Sequence, residues 1–167
     1  MEINVSQLLK ESSGSRRSFV LNDQVGLVEL PEAMCVSGAI ELLRTDRGIW
    51  ASATMESTVP VSCSRCTAEF QEPIELLIEE EFLPRIDILS GARLDQSDHD
   101  LSTTIDSQHV LDFTDIVRQY AEMTLPMKPV CREECAGMCA NCGANLNETS
   151  CECQSDTRDN HWGPFRE

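Results

Sequence analysis

The cysteines of this chain fall at spacings that are typical of metal ligands. The sequence contains nine of them, and eight lie in close pairs with one, two or three residues between the members. Four thiolates from two such pairs can surround a zinc ion tetrahedrally. The candidate ligands are therefore Cys63, Cys66, Cys131, Cys135, Cys139, Cys142, Cys151 and Cys153.

The strongest motif is the segment Cys139-Ala-Asn-Cys142-Gly143. Two cysteines three positions apart, with a glycine after the second, are typical of a zinc knuckle, a tight turn that leaves both sulfurs on one side of the chain. Cys151 and Cys153 supply another close pair soon after it. These four residues predict one four-thiolate zinc site.

The other four paired cysteines can be divided in two ways. In the favoured arrangement, Cys63 and Cys66 join Cys131 and Cys135, so that eight thiolates form two four-ligand sites. In the alternative, Cys131 or Cys135 belongs to the C-terminal site and the upstream pair binds no metal. Zn²⁺ is the expected cofactor, with two ions favoured and one as the minimum, while free thiols or disulfides remain the alternative. Cys35 lies in a strand-like run and is predicted to be a buried small hydrophobe.

Cysteine usage also predicts the compartment. An odd number of cysteines at metal-ligand spacings, without a basic n-region and apolar stretch at the N-terminus, indicates a reducing, cytoplasmic environment. No segment approaches the roughly 18 apolar residues that a membrane-spanning helix needs. A membrane partner is therefore not expected.

The chain is strongly acidic, with a formal net charge of −16 at pH 7. Eight thiolates and two Zn²⁺ would bring the net charge to about −20. Because broad contact with phosphate backbones requires basic surfaces, extensive direct binding to nucleic acid is not expected. An acidic surface favours a basic partner, and ribosomal proteins are one such class, although the charge could simply maintain solubility.

Alternating apolar residues predict an α+β fold with a mostly antiparallel β-sheet, one main helix and a C-terminal cysteine-rich zinc module. Strands are expected near 17–21 and 25–30. A third strand, with a bulge at Gly38, should form a hairpin with the residues after Gly48. The same period of two continues from Ile74 to Phe82 through three successive glutamates, which predicts a strand with one solvated face.

Two helical segments are expected. Residues 3–10 could form a short helical turn, whereas Asp112 offers an N-cap for the main helix. Apolar residues recur at intervals of three and four after it, and Pro126 should end the helix. The predicted organisation has four parts: a β domain with the first zinc knuckle at 1–83, an acidic mobile loop with solvent-exposed His99 and His109 at 84–110, the helix and connector at 111–130, and the zinc-binding module at 131–167.

Several segments of the chain match the pattern of a known family. They are Cys63-Ser-Arg-Cys66, Leu111-Asp112, Leu125-Pro126-Met127-Lys128-Pro129-Val130-Cys131, Cys135-Ala-Gly137-Met-Cys139-Ala-Asn-Cys142-Gly143, Asn145-Leu146-Asn147, Cys151-Glu-Cys153 and Asp156-Thr-Arg158. Together they resemble the YceD family, which is linked to accumulation of large-subunit ribosomal RNA. The resemblance covers most of the chain and is sharpest between residues 111 and 158. Where Met138 and Ala140 stand, the family usually has Leu and Pro.

The resemblance implies a non-enzymatic factor that supports ribosomal RNA production or large-subunit assembly. Its partner would be a ribosomal protein or a ribosome assembly particle. The residues are consistent with this, because structural zinc sites are closed by four protein ligands whereas catalytic sites keep one position open. The sequence has no zinc-deaminase signature, His-Glu-x-x-His, phosphate-binding glycine loop or Gly-x-Ser-x-Gly.

Two other functions remain open. Cys63 and Cys66 could be a thiol–disulfide pair, although such pairs usually open a helix and this one follows strand-like residues. The zinc module could also bind RNA directly, through stacking and charge. The residues that would make this contact are Arg132, Arg158, Trp162, Phe165 and Arg166, and His161 in the same tail could replace a cysteine ligand.

Overall fold

The computed structural model of the chain describes residues 1–27, 33–94 and 103–153. The chain forms two compact units. Met1–Pro60 and Gln71–Pro126 make the first, called here the β unit, and Val61–Phe70 and Met127–Glu167 make the second, called the cysteine unit. The sequence-based boundaries had placed Cys63 and Cys66 with the β domain, whereas they lie in the cysteine unit together with the C-terminal cysteines.

The described residues form strands and helices with the following bounds in chain order: β1 Glu2–Asn4, α1 Ser6–Lys10, β2 Arg16–Val25, β3 Met34–Arg44, β4 Ile49–Ser62, β5 Glu69–Pro84, β6 Thr104–Ile105, β7 Val110–Asp112 and α2 Thr114–Thr124. These seven strands make one sheet, in the order β1-β7-β6-β5-β4-β3-β2.

Most of the described strand pairs are antiparallel, as expected, but one is parallel, so the sheet is mixed rather than purely antiparallel. The pairs β1/β7, β2/β3, β3/β4 and β6/β7 are antiparallel, but β5 and β6 run parallel, with Leu83 facing Thr104 and Pro84 facing Ile105. A parallel pair requires a long crossover connection, and the chain between β5 and β6 provides it. The segment expected to be only a loop, 84–110, thus contains β6 and the first residue of β7.

The core lies on one face of the long strands, as the period-two pattern predicted. Met34, Val36, Ile40 and Leu42 are buried along β3. On β5 the residues at positions 74, 76, 78 and 82 are buried, while the intervening Leu77 is 65% exposed. The alternation predicted for β3 and β5 is therefore confirmed.

Three local predictions were wrong in detail. Arg16–Val25 is one continuous strand rather than two, and residues 28–30 of the second expected strand lie outside the described residues. β3 pairs one residue to one with both neighbours, so Gly38 is not in a bulge. Cys35 is exposed, because it lies between the buried Met34 and Val36 and so faces away from the core.

The main helix begins slightly later than expected. Its N-cap residue is Phe113, but the Asp112 carboxylate still accepts a hydrogen bond from the Thr114 backbone N–H at 2.9 Å. Ile116, Val117 and Ala121 form its buried face, and the helix ends at Thr124, before Pro126.

Of the two histidines in the predicted loop, the structure describes His109 but not His99. His109, expected to be solvent-exposed, is half-buried with a φ of 61°, and its carbonyl accepts a hydrogen bond from Val5 N–H at 2.9 Å. Its position next to β7 explains the burial. His99 lies outside the described residues.

Gly38 provides a test of the close strand packing in the β unit. A Cβ at this position would lie 2.2 Å from the Thr54 carbonyl oxygen and 2.7 Å from Met55 Cα. Because paired backbone cannot move aside cheaply, we expect Gly38→Ala to destabilise the protein by about 2 kcal/mol, measured by urea unfolding. Gly26→Ala is the control, since a Cβ there meets nothing within 4 Å. Equal stability of the two variants would contradict this packing.

Candidate metal centres

The eight paired cysteines form two clusters, both in the cysteine unit. Within each cluster the four sulfur atoms lie within 4.8 Å of one another. The first cluster contains Cys63, Cys66, Cys131 and Cys135, and the second contains Cys139, Cys142, Cys151 and Cys153. This grouping is the favoured of the two divisions set out from the sequence.

The sulfur separations in the first cluster fit a tetrahedral metal site. Cys63 Sγ lies 3.8 Å from Cys135 Sγ, and Cys66 Sγ lies 3.7 Å from Cys131 Sγ. Four sulfurs bound tetrahedrally at about 2.3 Å from one zinc ion are about 3.8 Å apart. A disulfide would bring two sulfurs to about 2.05 Å, so these cysteines are free thiols. The donor set therefore suits zinc, while occupancy by zinc stays a prediction.

The two clusters differ in burial. Cys63, Cys66 and Cys135 are at most 6% exposed and pack against Ala68, Phe70 and Val130. In the second cluster Cys139 and Cys151 are half-buried, and Cys142 and Cys153 are exposed. Among the described residues, the first cluster is thus the more deeply buried of the two and has an apolar surrounding.

The first cluster is built on a tight turn between β4 and β5. Thr67 N–H donates to the Cys63 carbonyl at 2.9 Å, and Cys63 N–H donates to the Ala68 carbonyl at 2.9 Å. Thr67, which follows the second cysteine of the pair, has a φ of 59°. A threonine in this left-handed conformation is strained, so the surrounding hydrogen bonds must hold it there.

The second cluster repeats the same turn. Gly143 N–H donates to the Cys139 carbonyl at 2.9 Å, and Cys139 N–H donates to the Ala144 carbonyl at 2.9 Å. Gly143 occupies the position equivalent to Thr67 and has a φ of 72°, which glycine adopts without steric cost. Each Cys-x-x-Cys pair is thus presented by the same backbone geometry.

The thiols of the first cluster differ in pKa. Hydrogen bonding from the backbone of Cys131 lowers the pKa of Cys63 to about 6, and Arg65 N–H adds a hydrogen bond to its sulfur at 3.4 Å. Burial, together with the neighbouring thiols, raises the pKa of Cys131 to about 12. Four thiols this close cannot all ionise unless a cation compensates their charge.

The second cluster shows the same pattern. Hydrogen bonds from the backbone of Cys142 and Asn141 lower the pKa of Cys139 to about 6, whereas the neighbouring Cys142 thiol and burial raise that of Cys153 to about 12. A divalent cation bound to either cluster would remove this conflict, because metal binding displaces the thiol protons.

Asn147 supports the first cluster, a role that the sequence did not indicate. Its Oδ1 accepts hydrogen bonds from Ala136 N–H at 2.9 Å and from Arg132 Nη2 at 2.7 Å. Because a backbone N–H can only donate, the side-chain amide must direct Nδ2 to the Cys135 sulfur, 3.3 Å away. Burial opposes ionisation of Cys135, but this hydrogen bond and one from the Gly137 backbone lower its pKa.

Backbone hydrogen bonds join the segments that carry the two clusters. Met138 N–H donates to the Arg65 carbonyl at 3.0 Å, and Leu146 N–H donates to the Gly137 carbonyl at 2.9 Å. Gly137 has a φ of 78°, and a Cβ there would lie 3.3 Å from the Arg65 oxygen. Met138 and Asn145 form an isolated antiparallel bridge. The two clusters therefore belong to one hydrogen-bonded module.

The remaining site candidates are only partly described. Arg132, considered for RNA contact, is exposed and donates to Asn147. The others lie outside the described residues, and so does the possible substitute ligand: Arg158, His161, Trp162, Phe165 and Arg166.

The chain is thus a β-rich protein with two four-cysteine clusters that could hold metal ions, both within one compact unit. Residues 51–166 match the family model described as "Large ribosomal RNA subunit accumulation protein YceD". Because this match covers more than half of the 167 residues, the chain belongs to the YceD family.

One curated relative is the "Large ribosomal RNA subunit accumulation protein YCED homolog 1, chloroplastic" of Arabidopsis thaliana. It is 23% identical over 158 residues, a match that includes 82% of this chain and 49% of the relative. The chain thus spans about half the length of this relative. No solved structure gives a significant match. In the described part of the chain, neither helix is long and apolar enough to cross a membrane.

Removal of the Asn147 side chain tests its support of the first cluster. We expect Asn147→Ala to weaken zinc binding there about tenfold, since partners of metal ligands typically contribute this much, and to leave the second cluster unchanged. Competition with a chromophoric chelator measures the affinity. Asn22→Ala, the same change at an exposed position of β2, is the control. Unchanged zinc affinity in Asn147→Ala would exclude this role.

Proposed function

We propose that the protein is a non-enzymatic factor for large-subunit ribosomal RNA accumulation, whose cysteine unit is held together by two zinc ions. Membership of the YceD family supports the role in ribosomal RNA accumulation. The observation that carries the zinc proposal is the convergence of eight thiols into two four-sulfur clusters.

All-sulfur coordination favours a structural role for the metal. Zinc with four protein ligands has no open position for water or substrate, which a catalytic zinc requires. Burial of three of the four thiols in the first cluster supports the same conclusion, because solvent has little access to that metal position. The zinc ions would therefore stabilise the fold of the cysteine unit.

A basic partner follows from the charge of the chain. At a net charge of −16, long-range electrostatics repel phosphate backbones and attract cationic surfaces. We therefore propose that the protein acts through a ribosomal protein or a ribosome assembly particle, rather than through extensive RNA contact. The cytoplasmic location expected from the sequence stays a prediction.

A thiol redox function is the second candidate, because the pKa of Cys63 is lowered to about 6. A low pKa increases the thiolate fraction that attacks disulfides. Against this, Cys63 lies on a turn after β4 rather than at a helix N-terminus, and its sulfur contacts Cys135. Zinc bound at the cluster would also occupy the thiolate.

Elemental analysis of the purified protein tests the zinc proposal. We expect about two zinc ions per chain, by the eight-thiolate argument. Cys66→Ser and Cys135→Ser should each retain about one ion, and the double variant should lose no more, because each change breaks the same cluster. Cys35→Ser is the control and should retain both ions, since Cys35 is outside the clusters.

Two results would contradict this arrangement. Full zinc content in Cys66→Ser combined with loss in Cys135→Ser would mean that the ligands are divided otherwise. A metal content near zero in the native protein, purified without chelator, would remove the zinc proposal altogether.

Complementation tests the cellular function. In cells that lack the protein, we expect the native chain and Cys35→Ser to restore the level of large-subunit ribosomal RNA. Cys135→Ser and Cys142→Ser should fail to do so, because each disrupts one cluster and with it the fold of the cysteine unit. Restoration by both cluster variants would show that the metal module is dispensable.

Affinity capture from lysate, with and without ribonuclease, identifies the type of partner. Ribosomal proteins that remain bound after ribonuclease treatment would support the basic protein partner. Loss of all partners would favour RNA contact, and a mixed disulfide with another protein would favour the redox function.

A further inference from the structure

Strand β2 forms one end of the seven-stranded sheet. Its residues Arg16–Val25 pair with β3, and the described part of the chain has no strand on the other side. This free side, called here the β2 edge, belongs to a ten-residue strand. An edge of this length presents backbone N–H and C=O groups that can pair with another strand.

The sequence and register of β2 lack the proline, bulges and central charges that usually prevent such pairing, although Met1 and helix α1 contact residues near its two ends. Arg16–Val25 contains neither proline nor glycine, and its register with β3 is continuous, without a bulge. Val20, at the centre of the strand, is 85% exposed. Charged side chains are confined to Arg16, Arg17 and Asp23, near the two ends. Natural edge strands are commonly protected by proline, bulges or central charges.

The residues of β2 are complementary to themselves about Val20. In an antiparallel pair of β2 strands with Val20 facing Val20, Arg17 of one chain faces Asp23 of the other. Phe19 then faces Leu21 in the same way. Opposite charges and large apolar side chains at directly facing positions are the pairs that stabilise antiparallel sheets.

The burial of these side chains agrees with the same pairing. Phe19 and Leu21 are half-buried on the core side of β2, so a second strand beside them would cover apolar surface that is still exposed. The side chains of Arg17 and Asp23 are 38% and 53% exposed. Within its own chain Arg17 donates to Gln7 at 3.0 Å and to Glu11 at 2.5 Å, so the pairing would exchange these surface contacts for Asp23 of the second chain.

From these observations we infer that the β2 edge binds a second copy of this chain. The two β2 strands pair antiparallel around a twofold axis at Val20 and join two seven-stranded sheets into one. A twofold interface of this kind uses the same residues on both subunits, which is the property that the symmetric sequence provides. An unrelated extended segment would have no reason to match this symmetry.

Analytical ultracentrifugation over a range of concentrations tests the pairing. We expect the native protein to sediment as a dimer and Val20→Lys to dissociate at least about fivefold more readily, because two lysines then face each other. Leu77→Lys is the matched control, since Leu77 is an apolar residue of the same sheet, 65% exposed and distant from the edge in strand order. It should dimerise like the native protein.

Charge complementation tests the register. Arg17→Asp and Asp23→Arg should each weaken self-association, because like charges then face one another at both ends of the interface. Mixing the two variants should restore association as a heterodimer, in which every position 17 faces an opposite charge at position 23. Asp23→Arg also removes the contact between Asp23 and the Met1 amino group, 3.7 Å away, so weaker association of this variant alone has two possible causes. Restored association in the mixture has one cause, the opposite charges across the interface.

Circular dichroism confirms that each variant is folded before it is compared. A native protein that is monomeric at every concentration would overturn the inference, as would a Val20→Lys variant that dimerises like the native chain. Failure of the mixed variants to associate, with each of them folded, would reject the register centred on Val20.

Discussion

Close packing of thiols is the constraint on which the cysteine unit depends. Cys63 and Cys66 come from a turn that follows β4, and Cys131 and Cys135 come from the segment after α2. Their sulfurs meet in an apolar surrounding, where four negative charges would repel one another strongly. A divalent cation turns this repulsion into attraction, so the same atoms that would separate the two segments can bind them together.

Hydrogen bonds to the sulfurs stabilise negative charge on the cysteine thiolates. In the two turns backbone N–H groups donate to the sulfurs of Cys63 and Cys139, and Asn147 donates to Cys135 from outside the turn. One turn uses glycine at its left-handed position, and the other uses Thr67. The strain at Thr67 indicates that the tertiary contacts of the first cluster, rather than local preference, fix its turn.

Sequence reasoning succeeded where the physical signal is local. Spacing of the cysteines predicted the grouping of the sulfurs, and alternation predicted the buried faces of β3 and β5. It failed for β6, because two residues are too short to show a period and their parallel pairing with β5 depends on distant parts of the chain. Asn147 was not assigned a role because a supporting amide has no characteristic spacing from the ligand that it contacts. Cys35 was expected to be buried, but the alternation along β3 places it on the face opposite Met34 and Val36, which is exposed.

The pairing of β1 with β7 has a consequence for synthesis of the protein. Glu2 of β1 faces Asp112 of β7, and Ile3 faces Leu111. β1 therefore emerges long before its partner exists and must wait, unpaired, while β2 to β6 are translated. Contacts between residues so distant in sequence form late and slow the folding of a chain. β1 thus joins the sheet late in folding, because a nascent chain that has not yet reached Val110–Asp112 cannot form this pair.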